Sequence, residues 1–204
     1  MQVIAATGNQ GKLREFERIL APYGFTVIGM KDAGLDIEIE ENGTTFAENA
    51  KIKAQAVHRL TGKAVISDDS GLCVDALNGR PGVYSARYGG ADLPHEQKIV
   101  KLLGELEQVP PERRGAQYVC AIHFILPDSQ ELAFTAECPG RIGWECQGEN
   151  GFGYDPIFYV GEYSMAQLSN EEKDRLSHRG KALRMLAEAM QELERSGRLE
   201  ELRG

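Results

Sequence analysis

Two consecutive aspartates, Asp68 and Asp69, follow an apolar run in the stretch KAVISDDSGLCVDAL, residues 63–77. Burying a carboxylate is costly, so an acid pair after a buried strand indicates a task beyond making a turn. Adjacent side chains of an extended segment point to opposite sides. We therefore expect one aspartate to face a cleft and the other to accept backbone N–H bonds. An Asx turn after the strand is the alternative.

Carboxylates of this kind suit magnesium, which takes one or two of them and draws its other ligands from water and substrate phosphates. An aspartate beside a metal-bound water can also act as a general base. The acidic segment DIEIEENGTTF supplies further candidates in Glu38, Glu40 and Glu41. Its isoleucines alternate with acids, which predicts an edge strand ending in an acidic turn. A solvated acidic loop is the alternative.

The segment TGNQGK, residues 7–12, lies between a predicted strand and a predicted helix. Its glycines let the backbone approach a ligand closely, and a helix N-terminus offers N–H groups to a phosphate. It is not a Walker A loop, because the glycine spacing is too short and Leu13 stands where Ser or Thr would hold magnesium. Lys12 in the first helical turn opposes the helix dipole, and a bound anion would offset that cost. A turn with a solvated lysine is the alternative for this segment. Lys53 is a second candidate phosphate ligand, and a surface lysine is the alternative there.

Two later segments carry groups suited to a nucleoside. In GFGYDPIF, Phe152 can stack on a base and Asp155 can accept hydrogen bonds from ring N–H groups. Lys173, His178 and Arg179 surround the start of the last predicted helix, where they can donate to a carbonyl or phosphate oxygen. Taken alone, each segment is explained as readily by a tight turn with core aromatics or by a capped helix with solvated charges.

Composition bounds the class of protein. The 204 residues carry a formal net charge of −8 and are 42% apolar, which suits one large or two-lobed globular domain and argues against broad nucleic-acid binding. The four cysteines show no zinc-ligand spacing, so we expect reduced thiols. The first residues lack a signal-peptide pattern, and no run approaches the roughly 18 apolar residues of a membrane span. We expect a cytoplasmic protein without a membrane partner.

Hydrophobic periodicity predicts an α/β fold with a mixed sheet. The predicted strands cover 2–6, 25–30 and 63–67, the helices 11–24, 44–62, 95–108 and 178–197, and the two arms of an antiparallel hairpin 115–128 and 130–143. Thr45 and Glu48 fit a capping box, Ser177 fits an N-cap, and Gly197 fits a helix end. We expect residues 196–204 to form a solvated tail.

The chain resembles the inosine/xanthosine triphosphate pyrophosphatases, the non-canonical purine nucleoside triphosphate pyrophosphatases, and looks like a bacterial-type member. Five motifs occur in the order of that family: TGNQGK, EENGTTFAENAKIKA, ISDDSGLCVDALNGRPGVYSARY, GFGYDPIF and SHRGKAL. The resemblance runs from about Val3 to about Leu186. It implies hydrolysis of dITP, ITP and XTP to the monophosphate and pyrophosphate, magnesium as cofactor, and a homodimer. It also implies an elongated α/β fold with an active-site cleft between two lobes.

The same resemblance assigns roles to single residues. Asp69 would be the general base and, with Glu40, a magnesium ligand, which leaves Asp68 as a structural partner. The choice of Glu40 over Glu41 rests on a local match. The substrate would be held by Thr7, Gly8, Asn9, Gln10, Gly11, Lys12, Lys53, Ser70, Phe152, Gly153, Tyr154, Asp155, Lys173, His178 and Arg179.

Two other functions stay open. A related scaffold could hydrolyse modified pyrimidine or canonical nucleotides, or the chain could bind nucleotides as a regulator without hydrolysing them. The intact Asp69 and Glu40 argue against the regulator. Inosine and xanthine present O6 as an acceptor where adenine has an amino donor. Hydrogen-bond donors from the His178–Arg179 segment would therefore favour inosine and xanthine over adenine.

Overall fold

The computed structural model describes residues 1–90 and 92–202. Within them the strands are β1 (Gln2–Ala5), β2 (Thr26–Gly29), β3 (Ala64–Val74), β4 (Gly115–Ile125), β5 (Glu131–Ile142), β6 (Phe158–Val160) and β7 (Tyr163–Ser164). The α-helices are α1 (Gln10–Leu20), α2 (Phe46–Thr61), α3 (His95–Glu105), α4 (Asn170–Leu176), α5 (His178–Arg195) and α6 (Arg198–Glu201). In this part of the chain no helix is both long enough and apolar enough to cross a membrane.

The strands form one mixed sheet in the order β2-β1-β3-β4-β5-β6-β7. β1 pairs in parallel with β2 and with β3, so that Val3 lies opposite both Val27 and Ala64. β6 pairs antiparallel with β5 and with β7. A tight turn over residues 126–130 joins β4 to its neighbour β5. The predicted α/β class, mixed sheet and hairpin are therefore confirmed.

β3 is longer than the sequence predicted. The predicted strand ended at Ser67, whereas β3 continues through both aspartates to Val74. The pair therefore lies inside a strand, and the Asx turn considered for it is absent. Because side chains alternate along a strand, Asp68 and Asp69 project to opposite faces.

The acidic segment 36–41 lies outside the strands, so the predicted edge strand is wrong. Its side chains still alternate. Ile37 and Ile39 pack against a hydrophobic core, while Glu38 and Glu40 are exposed. The apolar residues hold the segment against the core without a ladder of backbone hydrogen bonds.

The chain divides into two compact units. Unit 1 comprises residues 1–69, 121–135 and the described chain from Ala182 onward, and unit 2 comprises residues 70–120 and 136–181. Each unit has its own apolar core. The core of unit 1 includes Ile4, Ala6, Ala54, Val57, Val65 and Ile125. The core of unit 2 includes Leu72, Val74, Leu102, Tyr118, Ile157 and Phe158.

Helix α2 is set by local sequence signals. Its buried face repeats at helical spacing and includes Phe46, Ala50 and Val57. The predicted capping box is present: Thr45 accepts from the Glu48 amide, and Glu48 accepts from the Thr45 amide.

The end of the chain differs from the expected solvated tail. Residues Arg198–Glu201 form α6, and Leu199 is only 2% exposed. Arg198 forms ion pairs with Asp128 and Glu201. The buried Leu199 side chain thus makes this segment part of the folded unit 1 instead of a solvated tail. The last two residues of the predicted tail lie outside the described residues.

The capping box predicts a pH-dependent stability. Hydrogen bonds from the Thr44 side chain, and from the Thr44 and Thr45 amides, lower the pKa of Glu48 from its ordinary 4.5. A carboxylate with a lowered pKa stabilises the fold above its unfolded pKa and loses that contribution as the pH falls through the folded pKa. We expect Glu48→Gln to be less stable than wild type near neutral pH and to approach it as the pH falls below 4.5. Urea unfolding across this range measures the difference, and a pH-independent difference would contradict the assignment.

Candidate active site

Asp68 forms a buried ion pair with Lys12. The Asp68 side chain is fully buried, and its Oδ2 lies 2.8 Å from the Nζ of Lys12, which is 23% exposed. Lys12 lies in the first turn of α1, where a cation is disfavoured by the helix dipole. The carboxylate therefore offsets that cost and fixes where the ammonium group lies.

Asp69 has different partners from its neighbour. Its Oδ2 accepts from Asn49 Nδ2 at 3.2 Å, and its Oδ1 lies 3.9 Å from Lys53 Nζ. Burial raises the pKa of Asp69; Lys53 lowers it, and the nearby charge of Glu41 raises it again. The net shift is upward, so Asp69 holds a proton more readily than an exposed aspartate. This property suits a general base.

Glu41, rather than Glu40, joins this group. The Oε2 of Glu41 lies 3.0 Å from Lys53 Nζ, while Glu40 is exposed and continues the outward phase of the alternating segment. The same ammonium group therefore has the carboxylates of Glu41 and Asp69 as neighbours. The structure thus places Glu41, and not the predicted Glu40, beside the ammonium group that Asp69 also approaches.

The two carboxylates fit a divalent cation. The ammonium group of Lys53 lies near both Asp69 and Glu41. The space between these carboxylates therefore favours a positive charge. The described residues contain no cluster of three or more His, Cys, Asp or Glu side chains suited to a metal. Magnesium does not need one, because it binds through one or two carboxylates and takes phosphate oxygens and water as other ligands.

Asn49 is the functional candidate that the sequence reasoning missed. It is 1% exposed, and its Oδ1 accepts from the Gly43 amide at 2.8 Å while its Nδ2 donates to Asp69. A Cβ at Gly43 would lie 2.7 Å from Asn49 Oδ1, so only glycine permits this approach. The missed signal is a polar residue on the apolar face of α2.

The predicted phosphate loop caps α1. Asn9 Oδ1 accepts from the amides of Gly11 (2.8 Å) and Lys12 (3.2 Å), and Thr7 Oγ1 accepts from the Asn9 amide at 3.1 Å. A phosphate at this helix end would therefore compete with Asn9 for those two amides. Among the described residues, no atom lies within 4 Å of a Cβ built at Gly8, so packing does not explain that glycine. Gln10 begins the helix and is exposed.

In unit 2, Asp155 organises the glycine-rich loop. Its Oδ2 lies 2.9 Å from Lys173 Nζ and accepts from the Phe152 amide at 3.3 Å. A Cβ at Gly151 would lie about 2 Å from both partners of this ion pair, at 2.1 Å from Asp155 Oδ2 and 2.2 Å from Lys173 Nζ, and the backbone φ of Gly151 is +95°. Phe152 is left 77% exposed, as a ring that stacks on a ligand requires.

Five further predicted residues lie in unit 2. Arg179 Nη2 donates to Ser70 Oγ at 3.2 Å, and Ser177 caps α5 by accepting from the Gly180 amide at 3.0 Å, as predicted. Gly153 has a left-handed φ of +64°. Tyr154 is buried and donates to the Ser85 carbonyl, so it contributes to the core.

A buried tyrosine that the sequence did not single out contacts two of the predicted residues. Tyr118 on β4 donates to Asp155 Oδ1 at 3.2 Å. Its ring stacks on the imidazole of His178, with centroids 4.8 Å apart and planes inclined by 15°. One core side chain therefore contacts both the loop and the start of α5.

Known proteins match almost the whole chain. A sequence profile described as the Ham1 family matches residues 3–189. The chain belongs to the Ham1 family. It is 47% identical over 195 residues to a dITP/XTP pyrophosphatase of Bacillus cereus, covering 94% of this chain and 95% of that protein. The solved structure of the Staphylococcus aureus Ham1 protein matches with a TM-score of 0.88 at 44% identity, covering 94% of this chain and 98% of that one.

Another relative of this Ham1-family chain is longer. A dITP/XTP pyrophosphatase of Streptococcus agalactiae serotype V is 50% identical over 189 residues, which are 91% of this chain. The match covers 58% of that protein, so the chain spans less than two thirds of its length. The family resemblance drawn from the five motifs is confirmed by these matches.

The adjacent aspartates predict opposite effects on stability. Asp68→Asn removes the charge that balances Lys12, so we expect the free energy of unfolding to fall by about 1–3 kcal/mol. Asp69→Asn removes a carboxylate whose pKa is raised by burial, so we expect unchanged or higher stability near neutral pH. Urea unfolding without nucleotide or metal compares the two variants. Equal losses would contradict the division of roles.

Proposed function

We propose that this chain hydrolyses non-canonical purine nucleoside triphosphates, dITP, ITP, XTP and dXTP, to the monophosphate and pyrophosphate. Such a reaction would keep deaminated purines out of DNA and RNA. The observation that carries the proposal is the Asp69 group, a largely buried carboxylate with a raised pKa beside Lys53 and Glu41. Membership of the Ham1 family supports the substrate class, because its relatives named above are dITP/XTP pyrophosphatases.

Asp69 is the proposed general base. Water attacks the α-phosphorus, the bond from that phosphorus to the bridging oxygen breaks, and pyrophosphate leaves with the bond's electrons. Asp69 orients the water and takes its proton. The Asn49 amide donates to this carboxylate and holds it in a fixed orientation.

In the proposed mechanism, positive charge placed beside the negatively charged phosphates supplies most of the catalysis. Lys12, held by Asp68, and Lys53 are the proposed phosphate ligands of unit 1. Asp69 and Glu41 are the proposed magnesium ligands, and a bound magnesium ion would neutralise phosphate charge and position the water. Lys53 would exchange its contact with Glu41 for one with a phosphate when the metal binds.

Base recognition is the proposed task of the unit 2 residues. Phe152 would stack on the purine, and donors from His178 and Arg179 would pair with O6 of hypoxanthine or xanthine. Adenine carries an amino donor at that position and would leave the site's donors unpaired. The homodimer and the cytoplasmic location remain proposals that rest on the family resemblance and on the sequence.

A panel of nucleotides tests this function. We expect pyrophosphate release from ITP, dITP and XTP to exceed that from ATP, GTP, UTP and dTTP by about 100-fold or more in kcat/KM. Release should depend on added magnesium. A preference for UTP or dTTP would instead indicate a pyrophosphatase of neighbouring specificity, and the proposal would fail.

Within that assay, Asp69→Asn is expected to abolish turnover while ITP binding, measured by calorimetry, is largely kept. The physical reason is that the amide can hold the water but cannot take its proton. Binding without hydrolysis by the wild-type chain would favour the regulator. Near-normal turnover of the variant would remove Asp69 as the base.

The adjacent glutamates give a matched test of the metal ligand. We expect Glu41→Gln to raise the magnesium concentration needed for half-maximal activity by about tenfold or more, because a charged ligand is lost. Glu40→Gln should behave like wild type, since Glu40 is exposed. Magnesium titrations of the two variants with ITP provide the comparison. The reverse order would return the assignment to Glu40.

A further inference from the structure

We propose that Tyr118 is a positioning residue for purine recognition, whose hydroxyl holds Asp155 and whose ring holds the imidazole of His178. The inference rests on the proposed function, because it deepens the role given to the unit 2 residues. Tyr118 lies in the middle of β4 and is 7% exposed, so it acts through its neighbours.

The hydroxyl of Tyr118 completes the set of donors on Asp155. One carboxylate oxygen accepts from Tyr118, and the other accepts from Lys173 and from the Phe152 amide. Because three donors fix this carboxylate, its orientation is determined from both sides. Asp155 in turn places the loop that presents the exposed Phe152 ring. A change at the Tyr118 hydroxyl should therefore reach the stacking surface.

The ring of Tyr118 sets the plane of His178. The centroids of the two stacked rings are 4.8 Å apart, and Tyr118 also packs against Phe158, whose ring centroid lies 4.4 Å away with the planes inclined by 51°. His178 is the first residue of α5, so the helix fixes its backbone while the stack limits its ring rotation. A hydrogen-bond donor aimed at O6 discriminates between bases only if its direction is fixed.

Two substitutions separate these contributions. Tyr118→Phe keeps the stack and removes only the hydroxyl, so the KM for ITP should rise about three- to tenfold with kcat little changed. Tyr118→Leu also removes the stack. It should lower the ratio of kcat/KM for ITP over ATP by about tenfold or more, because the direction of His178 is no longer fixed.

Tyr88→Phe is the matched control. Tyr88 is another buried tyrosine of unit 2, its hydroxyl donates to Glu105 at 2.7 Å, and neither residue is among those assigned to recognition. The Tyr88→Phe variant loses a tyrosine–carboxylate hydrogen bond of the same kind as the Tyr118–Asp155 bond. We expect it to lose thermal stability as Tyr118→Phe does, while keeping the wild-type KM and the wild-type ITP/ATP ratio.

The outcomes are distinguishable. If wild type shows no preference for ITP over ATP, the proposed function fails. If wild type shows the preference and a folded Tyr118→Leu keeps both its KM and its ratio, Tyr118 is only a core residue. Should Tyr118→Leu not fold, Tyr118→Phe decides the question. Equal KM values for Tyr118→Phe and Tyr88→Phe would overturn the inference, and a KM raised only in Tyr118→Phe would support it.

Discussion

The placement of the largely buried Asp69 carboxylate beside Asn49 and Lys53 is the interaction on which the candidate site of unit 1 depends. Burial and the charge of Glu41 raise the pKa of Asp69, and Lys53 and Asn49 act against that shift. Lys12 of α1 also opposes the shift, but Lys53 and Asn49 come from α2, whose apolar face and capping box fix it without help from the site. β3 thus supplies the proposed base, and α2 supplies two of the groups that oppose the rise in its pKa. Because β3 and α2 are separate elements with their own stabilising contacts, both can be stable although burial disfavours the charged form of Asp69 between them.

Asp68 shows the opposite use of the same residue type, one position away. It is buried and lies 2.8 Å from the Lys12 ammonium group, whereas Asp69 accepts from Asn49 and lies 3.9 Å from Lys53. The alternation of β3 gives the two carboxylates different nearest partners, although the charge of Lys12 also acts on Asp69. A single extended strand therefore carries one carboxylate that holds Lys12, the proposed phosphate ligand, and one that is the proposed base.

Much of this arrangement was predictable from the sequence, because the signals are local. Helices α1, α2, α3 and α5, strands β1, β2, β4 and β5, the capping box of α2 and the N-cap at Ser177 follow from residue type and spacing. Alternation applied to segment 36–41 would also have placed Glu40 outward with Glu38, and Glu41 inward. The choice of Glu40 rests instead on a local match to the family motif, which makes no use of this alternation.

The role inferred for Tyr118 could not be predicted, and the reason is general. A reacting group is conspicuous in sequence because a charge in an apolar run is costly and needs a cause. A positioning group needs no such anomaly. Tyr118 lies in the apolar strand GAQYVCAIHFI, and a tyrosine there is ordinary core composition. Only its long-range contacts, a hydroxyl on Asp155 and a ring on His178, distinguish it from the other buried aromatics of unit 2. Asn49 lies between these cases, since its polarity on an apolar helix face is a signal and its two partners are not.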